Sequence, residues 1–454
     1  MAIQVINPAT GKIIKTFEPE HIDIVDKKLD HANRAFHQWK KLSIEERGAV
    51  IQKVADDLEK NKESYAKIIT TEMGKPKLQA IAEIEKSAKV CEYYANNSRQ
   101  FLTAEHIATG AQESYVMYEP LGTILGVMPW NYPFTQVFRA AVPALMAGNT
   151  FVLKHASNVP WSAITIEKIF AKATNIKNIF TTVLIEGSSV KHLVGDNRIA
   201  AVTLTGGEKA GKRVAELAGS HLKKTVMELG GSDAFIVLDD VDIKSVVEHA
   251  IKAKSLNAGQ SCNSPKRFIL MKSIADEFKK HFIEKVKNMK FGNPSDETVD
   301  IGPIARDNLR QELHKQVQNS IKKGAKLLLG GRKIAGDGYF YELTLLDEVT
   351  KGMPVYDEEV FGPVAIFIEV KNEEEAIRVA NDTHLGLNAT VWTADIRRAK
   401  KFIEELQVGS VFVNQVVRSD PRLPYGGTKK SGYGREFGMQ GIREFTNIKA
   451  VVVK

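Results

Sequence analysis

Cysteine is scarce in this chain, and long apolar runs and internal repeats are absent from its sequence. The 454 residues include only two cysteines, Cys91 and Cys262, which cannot form a disulfide scaffold and favour a reducing compartment. No apolar run approaches the ~18 residues of a membrane-spanning helix, and the opening MAIQVINPAT lacks the basic and apolar segments of a secretion signal. We therefore expect a soluble, cytoplasmic protein without membrane association.

Positive charge is in excess, but the sequence does not gather it into a nucleic-acid-binding surface. Lys and Arg number 63 against 55 Asp and Glu, which gives a formal charge of +8. The basic residues alternate with acidic ones, as in KVADDLEKNKESYAK, a pattern typical of solvated helix faces. We predict no specific nucleic-acid binding, and an anionic small molecule accounts for the charge equally well.

The order of apolar patterns predicts an α/β fold. The first hundred residues have helical periodicity, and Ser43 followed by Glu46 has the spacing of a capping box. From Gly122 onward, short β-branched runs such as TILGVM and TFVLK alternate with amphipathic stretches, and a second alternating region begins at FIVLDD. Such alternation indicates parallel sheets covered by helices. The length fits two domains of this kind.

Cys262 is the first candidate for chemistry. It lies in NAGQSCNSPKRF among small and polar residues, and we expect the nearby Lys266 and Arg267 to favour its thiolate. The alternative is a buried structural thiol, which is the interpretation that we keep for Cys91 in its helical segment.

Two polar residues at strand ends are the next candidates. Glu228 ends an apolar strand and precedes two glycines, so it is a candidate general base, or else a solvated strand end. Asn131, in PWNYPF, could donate a hydrogen bond to a developing oxyanion, or could satisfy its own turn.

A glycine-containing strand-to-helix turn is a candidate phosphate site. In AVTLTGGEKAGKRVAELAG, Gly206 and Gly207 precede an amphipathic helix, and Gly211 lies one turn into it. The free N–H groups of such a helix suit a pyrophosphate, although the glycines lack the G-x-G-x-x-G spacing. The later stretch SGYGREFG does not follow a strand, and we interpret it as a glycine-rich turn.

Several of these segments together resemble the aldehyde dehydrogenase superfamily. PWNYPF, LTGGEKAG, ELGG, GQSC, EEVFGP and PYGGTKKSGYGRE match that family's motifs in order and spacing, from about residue 118 to the C-terminus. The resemblance implies an NAD(P)-dependent enzyme that oxidises an aldehyde to a carboxylic acid through a cysteine thioester, and no metal. It makes Cys262 the nucleophile, Glu228 the base that activates water, and Asn131 the oxyanion donor.

The same resemblance implies the cofactor site and the domain limits. The cofactor domain would cover 1–101 and 121–229, the catalytic domain 230–442, and the segments 102–120 and 443–454 would join subunits of a homodimer or homotetramer. The cofactor-binding residues implied are Trp130, Lys154, Ser157, Gly206, Gly207, Gly211, Glu359 and Phe361. This chain has Ser157 where NAD-selective members usually have a glutamate, so we expect both NAD and NADP to bind.

The substrate prediction depends on Arg139 and Ser419. Members that oxidise simple aliphatic aldehydes usually carry an aromatic residue at the position of Arg139, whereas the bacterial succinate-semialdehyde branch resembles this chain there and at Ser419. We therefore expect succinate semialdehyde as substrate. The alternative for Arg139 is a structural pair with a nearby acid. The sequence departs from the common family pattern at His155, Gly207 and Ser232.

Other functions remain open from the sequence. The enzyme could accept aliphatic or other carboxylated aldehydes broadly, or could transfer the acyl group to a thiol such as CoA, although Glu228 favours water. A non-catalytic binding protein on this fold is a further alternative.

Overall fold

The computed structural model describes residues 2–454. Its α-helices are α1 (Ile22–Trp39), α2 (Ile44–Lys60), α3 (Lys62–Met73), α4 (Lys77–Leu102), α5 (Thr135–Met146), α6 (Pro160–Ala173), α7 (Val190–Gly195), α8 (Glu208–Ser220), α9 (Ile243–Ser255), α10 (Lys272–Lys287), α11 (Asp307–Lys322), α12 (Pro354–Asp357), α13 (Glu373–Asn381), α14 (Ile396–Glu405) and α15 (Gly438–Arg443). Short 3₁₀ helices lie at Gly187–Ser189 and Leu256–Gly259.

The strands complete the element order. They are β1 (Ile3–Asn7), β2 (Lys12–Phe17), β3 (Glu105–His106), β4 (Glu113–Pro120), β5 (Thr123–Met128), β6 (Thr150–His155), β7 (Phe180–Thr182), β8 (Ile199–Thr205), β9 (Lys224–Glu228), β10 (Ala234–Val237), β11 (Arg267–Met271), β12 (Lys326–Leu329), β13 (Thr344–Asp347), β14 (Val364–Val370), β15 (Leu385–Gly386), β16 (Asn388–Trp392), β17 (Ser410–Val413), β18 (Thr428–Lys429), β19 (Gly432–Tyr433) and β20 (Thr446–Val453).

The N-terminal quarter is mainly helical, as the sequence predicts. Helix α2 begins with the predicted capping box, in which Ser43 Oγ accepts a hydrogen bond from the Glu46 N–H at 3.1 Å and the Ser43 N–H donates to the Glu46 carboxylate at 2.7 Å. Its buried face, which includes Ile51, Val54 and Leu58, packs against α4. Helix α4 packs in turn against α5, which contacts β5 and β6 of the first sheet, and α4 provides one wall of the site described below.

The first sheet has six strands in the order β19-β9-β8-β5-β6-β7. All its pairs are parallel except β19 with β9. Strand β6 therefore ends beside β5, and β9 ends beside β8, with Thr205 paired to Glu228. Because the carboxyl ends of parallel strands share one edge, the predicted residues that follow these strands lie along the same crevice.

Strand β19 corrects one interpretation of the sequence. The stretch SGYGREFG is not a turn alone, because Gly432 and Tyr433 pair with Glu228 and Met227 and add an antiparallel edge strand to the first sheet. This strand lies within the range predicted for the catalytic domain and joins that part of the chain to the first sheet.

The second sheet has seven strands in the order β12-β13-β14-β11-β10-β16-β17, and only the β12–β13 pair is antiparallel. Strands β10 (AFIV) and β11 (RFILM) are buried along their whole length, as expected for a parallel sheet that is covered on both faces. Cys262 precedes β11. Two mainly parallel sheets confirm the predicted α/β class.

Strands β3, β4 and β20 form a separate antiparallel sheet, in which β20 pairs with β4 over eight residues and leaves its other edge unpaired within residues 2–454. The two predicted oligomerisation segments, 102–120 and 443–454, thus pair with each other. The domain limits themselves stay a prediction. Across the described residues, no helix has the length and apolar character needed to cross a bilayer.

Candidate active site

A cavity of about 1090 Å³ opens beside Cys262. Its walls come from α4, from α5, from the loop that carries Cys262 and from the 416–425 loop, and they include Arg139 and Ser419. The structure thus brings the predicted nucleophile and both predicted substrate residues to one cavity. Asn131 and Glu228 are not among the residues that line this cavity.

The backbone before Cys262 is held in an unusual conformation. Asn257, Ala258 and Gly259 have φ values of 52°, 53° and 68°, in the left-handed region. A Cβ atom on Gly259 would lie 2.2 Å from the Gly362 carbonyl oxygen, so only glycine allows the EEVFGP loop to approach this closely. The conformation joins two predicted motifs, GQSC and EEVFGP.

The Cys262 thiol is more strongly protonated than we expected from the sequence. Burial raises the pKa of Cys262 to about 11, and the charges of Lys266 and Arg139 oppose this rise only in part. Lys266 therefore supplies the predicted bias toward thiolate, but burial outweighs that bias. Arg267 does not supply it, because its guanidinium donates to the backbone oxygens of Ser232, Val379 and Ala380. Lys266 donates from Nζ to the carbonyl oxygens of Ser261 and Cys262.

Asn131 lies directly against the Cys262 loop. Its Nδ2 donates to the Gln260 carbonyl oxygen at 3.2 Å, two residues before the thiol. The Asn131 carbonyl oxygen in turn accepts from Asn257 Nδ2 at 3.0 Å and from Lys75 Nζ at 2.9 Å. The amide therefore has a fixed position beside the nucleophile, which suits a hydrogen-bond donor to an oxyanion.

Glu228 is buried at the end of β9. Its Oε1 has no hydrogen-bond partner within residues 2–454 and lies against Gly426, where a Cβ atom would be 2.6 Å away. Burial, followed by the negative charge of Glu436, raises the pKa of Glu228 well above its ordinary value. A carboxyl with a raised pKa in an apolar site is suited to accept a proton near neutral pH.

The turn before α8 fits a cofactor pyrophosphate. Gly207 is the N-cap of α8 with no side-chain cap, and a Cβ atom there would meet no heavy atom within 4 Å, so the N–H groups of the first turn face open space. The Gly206 N–H donates to the Glu228 carbonyl oxygen at 2.9 Å. Gly211 has a packing reason to be glycine, since a Cβ atom there would lie 2.4 Å from Leu229 Cδ2. An anion at this helix N-terminus would meet uncapped donors.

Three other predicted cofactor residues converge on the end of the first sheet. The rings of Trp130 and Phe361 meet edge to face, with centroids 5.8 Å apart. Glu359 Oε1 accepts from the Gly231 N–H at 3.0 Å, and its Oε2 lies where a Cβ atom on Gly230 would be 2.3 Å away. Lys266 Nζ, which donates to the Cys262 carbonyl oxygen, lies 3.9 Å from Glu359 Oε1, so the acid lies near the Cys262 loop, in a position that suits a nicotinamide riboside.

Lys154 and Ser157 lie at the end of β6 and beyond it. Lys154 is buried, which lowers its pKa, whereas Ser157 is exposed and lines a second cavity of about 400 Å³ with Asn158 and Arg306. His155, where the family usually has proline, ties β6 to the PWNYPF segment. Its Nε2 lies 2.9 Å from the Pro133 carbonyl oxygen, and its Nδ1 lies 3.0 Å from the Ala156 N–H.

Arg139 forms a buried ion pair with Glu436. The two side chains are only 5% and 1% exposed, and the guanidinium also lies over the rings of Tyr425 and Phe437, at 4.5 and 5.1 Å from their centroids. The structural pair that the sequence left open as an alternative is therefore present. Arg139 nevertheless still lines the cavity.

Ser419 contacts a cation that the sequence analysis did not identify. Its Oγ accepts from Lys86 Nζ at 2.6 Å, and both residues line the cavity. Lys86 lies in α4, in a segment with no motif, and 333 residues separate it from Ser419. The sequence also missed Lys75, Glu83 and Glu436, since nothing in the local pattern distinguishes them from solvated charges. The chemical roles of all these residues stay predictions.

Comparison with known proteins places this geometry in a family. The family model described as the aldehyde dehydrogenase family matches residues 1–451. A relative from Synechocystis sp., named as a probable NADP(+) succinate-semialdehyde dehydrogenase, is 46% identical over 99% of each chain. A relative from Mycobacterium avium, named as an NADP(+) succinate-semialdehyde dehydrogenase, is 43% identical over 99% of this chain and 96% of its own.

A solved structure agrees with the sequence relatives. The succinic semialdehyde dehydrogenase of Streptococcus pyogenes, crystallised with NADP⁺, has a TM-score of 0.97 at 36% identity, with 100% of both chains covered. The match confirms the resemblance predicted from the motifs and the two-domain fold that it implied, and it identifies an NAD(P)-dependent oxidoreductase. This chain belongs to the aldehyde dehydrogenase family.

Proposed function

We propose that this protein oxidises succinate semialdehyde to succinate through a thioester on Cys262, with NADP or NAD as the hydride acceptor. The observation that carries the proposal is one cavity with the Cys262 thiol in its wall and cationic side chains around it. A four-carbon aldehyde with a far carboxylate suits such a cavity. The names of the relatives from Synechocystis sp. and Mycobacterium avium support the same substrate.

The cationic lining favours a carboxylated substrate over a simple aldehyde. Lys86, Arg139 and Arg418 all line the cavity, together with Ser419. Glu436 already neutralises Arg139, but no carboxylate of residues 2–454 forms an ion pair with Lys86. Lys86 is half-buried, and a partly desolvated cation without an ion-pair partner is costly, so an anionic ligand would complete this site. We infer that Lys86 joins Arg139 and Ser419 in binding the substrate carboxylate.

The chain's own residues account for both half-reactions. The Cys262 thiol releases its proton to solvent and adds as the thiolate to the aldehyde carbonyl, where Asn131 Nδ2 and the Cys262 backbone N–H hold the oxyanion. A bound nicotinamide cofactor supplies the hydride acceptor for the resulting tetrahedral carbon. Glu228 then takes a proton from the water that attacks the thioester, and the acid leaves as the C–S bond breaks and the Cys262 sulfur regains its proton.

We propose that the cofactor site accepts either NAD or NADP. Lys154 and Ser157 would take the adenosine ribose, Gly206, Gly207 and Gly211 would frame the pyrophosphate-binding turn, and Glu359, Trp130 and Phe361 would hold the nicotinamide riboside. Because Ser157 carries no negative charge, it does not repel a 2′-phosphate.

We further propose a cytoplasmic homodimer or homotetramer, joined through 102–120 and 443–454. The unpaired edge of β20 supports this, since Ile448 and Val452 on that strand are 62% and 66% exposed. An exposed apolar edge strand is a ready template for pairing with another chain. Light scattering coupled to size-exclusion chromatography, with Ile448→Lys as the perturbing variant, measures the association.

The substrate proposal is tested by comparing succinate semialdehyde with butanal, which has the same length and no charge. Wild type should prefer succinate semialdehyde, and Lys86→Met should reduce that preference about tenfold to a hundredfold, because a hydrogen bond to a charged group contributes about 1.5–3 kcal/mol. Lys53→Met is the matched control, since it removes the same charge at an exposed position of α2 that does not line the cavity. Equal rates for the two aldehydes in wild type would refute the proposal.

A further inference from the structure

A buried ion pair lies directly behind the loop that carries Asn131. Lys75 follows α3, Glu83 lies on α4, and both side chains are 1% exposed. Lys75 Nζ pairs with the Glu83 carboxylate and donates to the Asn131 carbonyl oxygen at 2.9 Å. Glu83 Oε1 accepts from the backbone N–H groups of Phe134 at 2.9 Å and Thr135 at 3.2 Å, at the start of α5. One ion pair therefore holds the chain at Asn131 and again three residues later.

Further contacts connect this pair to the nucleophile. Lys75 Nζ lies 3.7 Å from the centroid of the Tyr132 ring, which lines the cavity. Asn257 Nδ2 donates both to the Asn131 carbonyl oxygen and to the Gln260 carbonyl oxygen, at 3.0 and 3.1 Å. The Gln260 carbonyl oxygen also accepts a hydrogen bond from the Asn131 side-chain amide. The position of Asn131 is thus fixed against the ion pair on one side and against the Cys262 loop on the other.

Stability alone is a weak explanation for a charged pair at this depth. Removing two charges from water usually costs about as much as their attraction returns, and apolar residues of similar volume often stabilise a core as well or better. The specific effect of the Lys75–Glu83 pair is on geometry, because its hydrogen bonds are made to backbone groups around Asn131. A displacement of about 1 Å in a catalytic group can reduce a rate by about a hundredfold.

We propose that Lys75 and Glu83 are positioning residues that hold the Asn131 amide in register with the Cys262 thiol. Both act through Asn131, and Lys75 does not line the cavity. The inference rests on the proposed function, in which Asn131 donates to the oxyanion.

The test is a double-mutant cycle on kcat/KM for succinate semialdehyde, with NADP affinity measured separately by fluorescence titration. Lys75→Met should lower kcat/KM about tenfold to a hundredfold while the Kd for NADP changes less than about threefold, since only the oxyanion donor is displaced. In an Asn131→Ala background the same change should cost less than about threefold, because residues that act through one group are not additive. Glu83→Gln, which keeps an oxygen for both N–H groups, runs through the same cycle if Lys75→Met does not fold.

A matched control separates positioning from general loss of stability. Lys279 forms a partly buried cluster with Asp347 and the exposed Glu369, at 2.9 and 2.7 Å, beside the second sheet. Lys279→Met should lower the unfolding temperature and leave kcat/KM within about threefold of wild type.

Two results would overturn the inference, and they are distinguishable from each other. If the losses from Lys75→Met and Asn131→Ala multiply in full, Lys75 acts independently of Asn131 and only the positioning role fails. If Asn131→Ala alone leaves kcat/KM unchanged, the oxyanion role in the proposed function fails, and the positioning role fails with it.

Discussion

Replacing Arg139 by leucine should destabilise the protein through the carboxylate that it leaves behind. Glu436 is 1% exposed, and the guanidinium of Arg139 is its ion-pair partner. Breaking a buried pair by removing one partner typically costs about 3–5 kcal/mol. With an unfolding entropy of about 2 cal/mol/K per residue, a chain of 454 residues that unfolds as one unit would lose about 3–5 °C in Tm.

The pH dependence of this loss has a defined sign. Burial raises the pKa of Glu436, and in wild type the charge and the hydrogen bond of Arg139 oppose this rise. Replacing Arg139 by leucine removes that opposition. In the unfolded chain the carboxyl ionises at its ordinary pKa, so the variant should lose further stability as the pH rises above that value and through the raised one. Calorimetry of wild type and Arg139→Leu at several pH values measures both effects.

The double variant Arg139→Leu with Glu436→Gln provides the control. It removes the stranded charge and should recover most of the lost stability, because replacing both partners of a buried pair is often close to neutral. If Arg139→Leu melts within about 1 °C of wild type, or if the double variant is no more stable than the single one, the ion pair does not carry the cost that we assign to it.

Three further predictions concern the reaction itself. Cys262→Ala should abolish oxidation, whereas Cys91→Ala, which changes a fully buried thiol of α4, should keep most of it; turnover by the Cys262 variant would refute the mechanism. Glu228→Gln should keep a rapid first turnover of reduced cofactor but lose the steady state. Because the Glu228 pKa is raised, the wild-type steady-state rate should climb with pH as this carboxyl ionises, and stopped-flow absorbance measures both phases. Ser157→Glu should depress kcat/KM with NADP far more than with NAD, and equal effects would place the ribose elsewhere.

The parts of the fold that depend on local pattern were predictable. Helix α2 begins at the capping box of Ser43 and Glu46, and β5 covers the run TILGVM, because hydrogen bonding and side-chain period act over a few residues. The motif residues around Cys262 could also be found, but only through their resemblance to the family's motifs, because the local residues alone left a structural thiol open.

The charge partners inside the site could not be predicted in the same way. Arg139 meets Glu436, and Lys86 meets Ser419, only because the fold brings α4, α5 and the C-terminal loop together. The raised pKa of Cys262 has the same origin: Lys266 acts in the predicted direction, but the burial that outweighs it comes from the surrounding fold. Closeness in sequence indicates neither how deeply a side chain is buried nor which way it points.

Strand β19 has a consequence for biosynthesis. The first sheet ends its main parallel run at Glu228, yet its edge strand, Gly432–Tyr433, is made roughly 200 residues later, about 10–40 s afterwards at ordinary translation rates. During that interval the nascent sheet exposes an unpaired edge at β9, where chaperones or a neighbouring nascent chain could bind. A chain that ends shortly before residue 432 would therefore contain all site residues up to Ser419. It would lack the edge strand of the first sheet.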